Sequence, residues 1–228
     1  MNQAQNSPQL NIVTCDDANR LAYAGVVNGI QHCASCELAD KGGYRDIGEG
    51  FVPAPLMVVA ESFGAVERKE GRPLIGDAGQ IWREVMAKHG LNTSGEPLIK
   101  TFLTNTIACW PPPPAESRSF NGKPTAHAIS ECKKHLWGKI RLVRPQVICT
   151  LGDIATRNLL SIASDDTSFR MRDQIGTTHD KKWAISGKEY RVKIVPAYHP
   201  SYVLRNGRDE NLLVLYDRVV ELIKGLLV

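Results

Sequence analysis

Short apolar runs alternate along the chain with stretches whose apolar positions recur at helical spacing. Four of the runs, each bounded by turn-forming residues, predict buried strands at residues 56–60, 101–107, 146–151 and 191–195. Helical spacing predicts helices at 21–30, 77–89, 125–143, 155–159 and 211–227. Because strands and helices alternate, the pattern predicts an α/β protein, a single three-layer αβα domain with a mostly parallel four-stranded central sheet.

The remaining segments lack a clear period. Residues 1–20 are interpreted as a polar N-terminal arm, which leaves 21–228 as the domain. Four consecutive prolines at 111–114 predict an extended or turning surface segment. Residues 161–190 are polar and are compatible with a hairpin.

Composition narrows the class of protein without naming a function. The chain has 228 residues, of which 43% are hydrophobic and 23% charged, values that exclude a disordered or fibrous protein. It shows neither an apolar run of about 18 residues nor a secretion signal, so we expect a cytoplasmic protein with no membrane partner. The net charge of +4 permits a nucleic-acid partner but does not argue for one.

Polar side chains follow three of the predicted strands. Glu61, Asn105 and His199 lie at or just beyond their carboxyl ends, where ligands of open parallel sheets bind. Taken singly, such residues more often cap a helix or pack. A carboxylate, a carboxamide and an imidazole that converge on one crevice form a candidate catalytic set.

The six cysteines are too few for a disulfide scaffold. Cys33 and Cys36 form a C-x-x-C pair, and Cys109 and Cys132 lie downstream. Four thiolates with this pattern suit either an iron–sulfur cluster or a zinc ion, and the spacing does not separate the two. The other two cysteines are interpreted as a core residue, Cys149, and a free surface thiol, Cys15.

Several motifs occur in a fixed order along the chain. They are the four cysteines, Glu61 after an apolar strand, Gly71-Arg-Pro-Leu-Ile-Gly76-Asp-Ala-Gly79, Thr104-Asn105, Arg144-Pro145, Leu151-Gly152 and His199-Pro-Ser-Tyr202. In this order they resemble the uracil-DNA glycosylase superfamily, specifically its iron–sulfur branch, usually called family 4. The resemblance covers roughly residues 30 to 225.

The resemblance implies a DNA glycosylase that hydrolyses the N-glycosidic bond of uracil, or of a related damaged or modified base, and leaves an abasic site. His199 would donate a hydrogen bond to uracil O2 as negative charge develops, and Glu61 would activate water and balance the cationic sugar. Asn105 would read the uracil edge. Ser62, Phe63 and Leu74 would line the base pocket. For Glu61 the alternative is that it only caps its loop or pairs with Arg72.

The resemblance also implies a partner and a cofactor. DNA, single-stranded or double-stranded with a flipped base, would be bound by Ser201, Tyr202 and Arg205, and the segment from Tyr202 to Arg205 would form a loop that enters the DNA. We expect a monomer. Further phosphate contacts are possible at a set of basic residues: Lys133, Lys134, Lys139, Arg141, Arg144 and Arg208.

In the same way, the family's pattern makes Cys33, Cys36, Cys109 and Cys132 the ligands of a structural 4Fe–4S cluster, with zinc as the alternative. The cluster would tie the N-terminal segment to the loop around 109–132.

The sequence departs from the family around the pocket. The family's Gly-Glu-x-Pro-Gly is here Ala60-Glu-Ser-Phe-Gly64, and the phenylalanine that stacks on uracil is replaced by Leu74. Base–aromatic stacking contributes roughly 1–3 kcal/mol, and Phe63 is the candidate for a replacement ring. The Cys109–Cys132 interval is also longer than the family's. Two hypotheses remain besides the glycosylase: a non-catalytic iron–sulfur DNA-binding module of the same fold, and an unrelated zinc-stabilised α/β enzyme.

Overall fold

The computed structural model of the chain describes residues 12–117 and 121–227. Within these ranges the strands are β1 (Val13–Cys15), β2 (Glu49–Val52), β3 (Leu56–Ala60), β4 (Leu91–Asn92), β5 (Ile99–Asn105), β6 (Val147–Leu151), β7 (His179–Ile185) and β8 (Lys188–Ala197). The α-helices are α1 (Asp17–Gln31), α2 (Ala65–Glu70), α3 (Asp77–Lys88), α4 (Ala126–Val143), α5 (Asp153–Leu160), α6 (Pro200–Arg205) and α7 (Glu210–Leu226).

The centre of the sheet is the predicted parallel set of four strands, in the order β5-β3-β6-β8. The sheet extends beyond them on both sides. On one side β2 pairs antiparallel with β5, and β1 pairs parallel with β2. On the other side β7 pairs antiparallel with β8. The hairpin predicted within 161–190 therefore lies further along the chain, at 179–197, and its second strand is the predicted fourth strand. The short strand β4 pairs with β5 off this path. The mostly parallel α/β sheet is therefore confirmed, although it has more strands than predicted.

Strand β3 shows why the fold has three layers. Met57 and Val59 pack into an apolar cluster with residues of α1, α4 and α5. Leu56, Val58 and Ala60 pack into a second cluster with residues of α3, α6 and α7. Because successive side chains of a strand point to opposite faces, one fully buried strand supplies both interfaces. This confirms the αβα arrangement.

The helix boundaries follow ordinary capping chemistry. The Thr125 hydroxyl accepts a hydrogen bond from the Ala128 N–H at the start of α4, and Arg144 ends the helix in a left-handed conformation just before Pro145. At the N-terminus, the Asp16 side chain caps α1 in the same way. The boundary predicted at residue 21 falls inside α1, and most of the predicted arm (residues 1–11) lies outside the described residues.

The two cysteines outside the proposed ligand set differ in environment. Cys149 is fully buried in β6, as expected of a core residue. Cys15 lies in β1 and is only half-exposed, and burial raises the pKa of its thiol. It is therefore less of a surface thiol than the sequence indicated.

Among the described helices, none combines the length and the apolar character that crossing a membrane requires.

Candidate active site

The carboxyl ends of β3 and β5 meet at one edge of the sheet. Ala60 is in register with Asn105, and two hydrogen bonds extend the pairing beyond the strands. The Thr106 N–H donates to the Ala60 carbonyl at 2.8 Å, and the Ile107 N–H donates to the Glu61 carbonyl at 3.0 Å. Glu61 and Asn105 are thereby held on neighbouring strands at this edge.

Glu61 lies in a mostly buried environment. Burial raises the pKa of its carboxyl group; the nearby Lys123 ammonium opposes this shift, and the Asp153 carboxylate adds to it. The suggested ion pair with Arg72 is wrong, because the Arg72 guanidinium is bonded to both oxygens of Glu49, at 3.0 and 3.1 Å. Glu61 is therefore not occupied by that arginine.

Asn105 is almost completely buried, and Asp46 holds it. The Asp46 Oδ2 atom accepts hydrogen bonds from the Asn105 backbone N–H at 2.6 Å and from Asn105 Nδ2 at 3.2 Å. One N–H of the carboxamide is used inside the protein, and the Oδ1 atom is left for another partner.

His199 follows β8 on the same edge of the sheet and caps the N-terminus of α6. Its Nδ1 atom accepts a hydrogen bond from the Ser201 N–H at 3.2 Å and lies 2.8 Å from the Ser201 hydroxyl. Because a backbone N–H only donates, Nδ1 carries no proton and the neutral ring is protonated at Nε2. Burial, with a smaller contribution from Arg205, lowers the pKa of His199 to about 4, so the imidazole is neutral at pH 7.

Gly152 leaves room for His199. It lies between β6 and α5 with a φ of +92°, and a Cβ atom there would lie 2.9 Å from the Cβ of His199. Its N–H donates to the Ala197 carbonyl at 2.9 Å. A side chain at this position would meet both backbone strain and a collision with the imidazole-bearing residue.

Leu74 lies in a tightly held loop. Its backbone adopts a φ of +54°, and its carbonyl accepts a hydrogen bond from Arg83 Nε at 2.9 Å. Gly79 allows the loop to pack against α3, since a Cβ there would lie 2.2 Å from the Leu74 backbone. The Leu74 side chain packs in the apolar cluster that includes Ile81 and Trp82.

The other two predicted pocket residues lie between β3 and α2. Ser62 is half-buried, and Phe63 is buried to 1% exposure outside both of the main apolar clusters. Both lie within three residues of the end of β3, beside Glu61.

The predicted DNA-contact residues lie on α6. The segment from Tyr202 to Arg205, predicted as a loop, is helical, because the His199 side chain and Pro200 start a helix there. Tyr202 is 40% exposed and stacks on Tyr198 with ring centroids 4.7 Å apart. Arg205 is exposed in the last turn, and Ser201 is half-buried against His199.

The basic residues proposed for phosphate contact differ in their surroundings. Lys139 is 1% exposed and bonded inside the protein, so its prediction as a phosphate contact is wrong. Arg208 is paired with Glu84 at 3.6 Å. The rest are exposed on or just after α4: Lys133, Lys134, Arg141 and Arg144.

The four cysteines predicted as ligands line one small cavity. The cavity is also lined by Ile30, Ala39, Ile107, Ala108, Glu131 and His135. The Ala108 N–H donates to Cys132 Sγ at 3.3 Å. The C-x-x-C segment is anchored by Arg45, whose guanidinium donates to the carbonyls of Ile30, Cys33 and Ala39 at 2.6–2.8 Å.

Buried polar groups that line the cavity lack compensating partners among the described residues. Burial raises the pKa of Cys109 to about 12, Arg45 opposes this shift, and the other three thiols raise the pKa further. The His135 Nε2 atom is buried beside them with no hydrogen-bond partner among the described residues. In these same residues, no three His, Cys, Asp or Glu side chains converge in the way that a single metal ion needs.

A family model described as the uracil DNA glycosylase superfamily matches residues 47–220. The match contains Glu61, Asn105 and His199 and covers most of the chain. The protein belongs to the uracil-DNA glycosylase superfamily. The matched segment begins after Cys33 and Cys36 and ends before Ile223 of α7. The C-x-x-C pair therefore lies outside the match.

Individual proteins are also similar to this chain, two of them over a longer stretch than the family model. A type-4 uracil-DNA glycosylase from Thermotoga maritima is 30% identical over 189 residues, which cover 82% of this chain and 86% of that protein. One from Sulfurisphaera tokodaii is 30% identical over 181 residues, 79% of this chain and 75% of its own length. A DNA polymerase of Bacillus phage SP01 is 22% identical over 167 residues, which are 15% of that protein.

The sequence alone did not identify the roles of several residues that shape the site of this superfamily member. Asp46 and Arg45 lie in a glycine-rich loop with no periodic signal. For Lys139 the helical spacing did indicate burial, because this residue lies seven positions after Cys132 and three after Leu136, on the buried face of α4.

Proposed function

We propose that this protein hydrolyses the N-glycosidic bond of uracil, or of a closely related altered base, in DNA and leaves an abasic site. The observation that carries the proposal is the state of His199. A neutral imidazole whose Nδ1 accepts from the Ser201 N–H has an N–H donor at Nε2, as the departing base requires. Membership of the superfamily and the names of the type-4 relatives support the same reaction.

In the proposed reaction the bond between C1′ of the sugar and N1 of uracil breaks, and its electron pair leaves with the base. His199 Nε2–H donates to O2 of the uracil anion, an interaction of about 3 kcal/mol per donor in comparable sites. Asn105 binds the edge of the base through Oδ1 and its second N–H. The Glu61 carboxylate balances the cationic sugar and orients the water that attacks C1′, and the water's proton passes to the carboxylate.

The target nucleotide must leave the base stack to reach such an edge-of-sheet crevice. We propose that Tyr202 and Leu204, which are exposed on α6 directly after His199, contact the vacated stack and that Arg205 contacts a phosphate. We propose that Ser62, Phe63 and Leu74 surround the base. We propose that the protein acts as a monomer.

We further propose that Cys33, Cys36, Cys109 and Cys132 hold an iron–sulfur cluster with a structural role. The fit rests on the cavity: burial, with a smaller contribution from the neighbouring thiols, raises the pKa of Cys109 and Cys132, and the buried His135 Nε2 atom beside them has no partner among the described residues. A zinc ion, which four thiolates also suit, is the alternative occupant. A cluster bound there would fasten the segment after α1 to α4.

The test uses protein purified without oxygen and end-labelled oligonucleotides, single- and double-stranded, that carry one uracil. Alkali cleaves any abasic product. We expect scission that falls at least a hundredfold in Glu61→Gln and His199→Gln. Glu96→Gln, at an exposed position between β4 and β5, and His179→Gln, in the edge strand β7, are the matched controls and should leave the rate unchanged.

If the protein with all four cysteines intact binds uracil DNA but produces no scission, the glycosylase proposal fails. That result would favour the non-catalytic DNA-binding module. Leu74, which packs into the core where the family has a stacking ring, is the observation that favours this second function.

A further inference from the structure

The Asp46 carboxylate is completely buried at the base of the crevice, behind Asn105. Its Oδ2 atom accepts three hydrogen bonds: from the Asn105 N–H at 2.6 Å, from Asn105 Nδ2 at 3.2 Å and from the Thr104 hydroxyl at 2.7 Å. Its Oδ1 atom accepts from the Gly48 N–H at 2.8 Å. Both oxygens are therefore engaged by donors of the surrounding backbone and side chains.

A carboxylate engaged in this way can only accept hydrogen bonds. The NH₂ end of the Asn105 carboxamide must therefore face Asp46, because its oxygen would meet a second acceptor there. An asparagine's two ends are often hard to distinguish, but here the chemistry of the partner decides between them. The orientation of the group is set by Asp46.

We propose that Asp46 is a positioning residue that determines base specificity by fixing the orientation of the Asn105 carboxamide. The inference rests on the proposed role of Asn105 in reading the base. Uracil offers an N3–H donor and an O4 acceptor, which match Oδ1 and the second N–H of the fixed group. Cytosine offers the reverse pattern, an N3 acceptor and an amino donor, and fits only a carboxamide turned by 180°.

Lys139 completes the arrangement from α4. Its Nζ atom, buried to 1% exposure, donates to the Thr104 hydroxyl at 2.5 Å and to the Asp46 carbonyl at 3.1 Å, and lies 3.5 Å from Asp46 Oδ2. The Thr104 hydroxyl accepts from Lys139, so its own proton points to Asp46. The ammonium group thus balances the buried carboxylate both directly and through this hydroxyl.

A purely structural ion pair would have the same contacts, so the test must separate orientation from stability. Two double variants do this. Asp46→Leu/Lys139→Met and Asp46→Asn/Lys139→Met both remove the two buried charges, so neither leaves one unpaired. They differ in the acceptor at position 46. Asn keeps an oxygen that can accept from the Asn105 backbone N–H and Nδ2, whereas Leu leaves these donors, the Thr104 hydroxyl and the Gly48 N–H without that acceptor.

The measurement is kcat/KM on matched oligonucleotides that carry uracil or cytosine. In the Leu variant we expect uracil excision to fall about 10- to 100-fold and the uracil-to-cytosine ratio to fall with it. The Asn variant should remain within about threefold of the wild type in both. Equal rates and ratios in the two variants would overturn the proposal, because loss of stability alone does not change which base is preferred.

A second measurement needs neither a variant nor activity. In the free wild-type protein, NMR should show one Asn105 side-chain N–H proton protected from exchange with water. Exchange of both protons as fast as those of an exposed asparagine such as Asn211 would refute the inference. If the wild type removes no uracil but the proton is protected, the proposed function fails and the fixed orientation stands.

Discussion

The crevice at the carboxyl edge of the sheet and the cysteine-lined cavity differ in how completely the protein satisfies its own polar groups. In the crevice, Nδ2 of Asn105 and Nδ1 of His199 both have partners inside the fold. In the cavity, burial raises the pKa of the Cys109 thiol, the neighbouring thiols add to this shift, and His135 Nε2 has no hydrogen-bond partner within the described ranges.

The contrast indicates two kinds of site. The crevice is organised by the protein itself, so its side chains are oriented before a base arrives. The cavity becomes favourable only when a cationic group compensates four converging thiolates. Damage to the cavity should therefore appear first in stability, and damage to the crevice in the rate of reaction.

The largest effect is expected at the cavity. Cys132→Ala should abolish the visible absorption of the cluster and lower Tm by about 10 °C or more, because a bound group that stabilises only the folded state contributes several kcal/mol. Cys149→Ala, which removes an equally buried sulfur from β6, is the control and should keep the absorption. If both variants keep it, the cavity does not hold the cluster.

The next largest effect concerns Glu61. Glu61→Gln should lower kcat/KM about 10²- to 10⁴-fold. In the wild type, kcat/KM should decline as pH falls through the raised pKa of Glu61, and this decline should be absent from the variant's residual activity. A parallel decline in the variant would assign the titration to another group.

Glu61→Gln should also change stability in the opposite direction to activity. A carboxyl group whose pKa is raised by folding stabilises the protein at low pH, and this contribution is lost as pH rises through the folded-state pKa. The variant should therefore have a higher Tm than the wild type at pH 7 and a smaller advantage near pH 4. An unchanged difference at the two pH values would contradict the burial of this charge.

A smaller effect is expected from Gly152→Ala, which moves the imidazole without removing it. The added methyl group meets the His199 Cβ at 2.9 Å, and a shift of about 1 Å in a reacting group can cost up to about a hundredfold in rate. Gly207→Ala is the matched control, since Gly207 also has a positive φ, of +66°, but has open space around its Cβ position. Similar rates in the two variants would mean that only backbone strain matters.

The smallest effect is expected at the rim of the crevice. Arg205→Ala should weaken DNA binding a few-fold and reduce the slope of log affinity against log salt concentration by about 1. Arg191→Ala, an exposed arginine near the opposite end of β8, should change neither. An unchanged salt slope in Arg205→Ala would exclude a phosphate contact there.

The elements that the sequence predicted correctly have a local signal, whereas those that it missed depend on residues far along the chain. Each of the four central strands contains a short, mainly apolar segment bounded by turn-forming residues, so its burial is visible within five to seven residues. Strand β2 was missed because it begins with Glu49, which is buried only through Arg72, Arg83 and Thr93, residues more than 20 positions away. No window of local sequence contains that compensation.

The site shows the same limit. Glu61, Asn105 and His199 were identified because strand ends are readable and the motifs are ordered. Asp46 and Lys139 were not, because each looks like a solvated charge until the other is placed beside it. Buried charges are paired across the fold, and their pairing is a property of tertiary structure.

Helix α4 connects the cysteine-lined cavity to the buried charge pair behind Asn105. It carries Cys132 and, seven residues or about 10 Å along the same face, Lys139. A displacement of Cys132 along the axis of this helix would be carried to the Lys139 ammonium group, which is paired with Asp46. A change at the cysteine-lined cavity would in this way reach the buried charge pair behind Asn105 through a single helix.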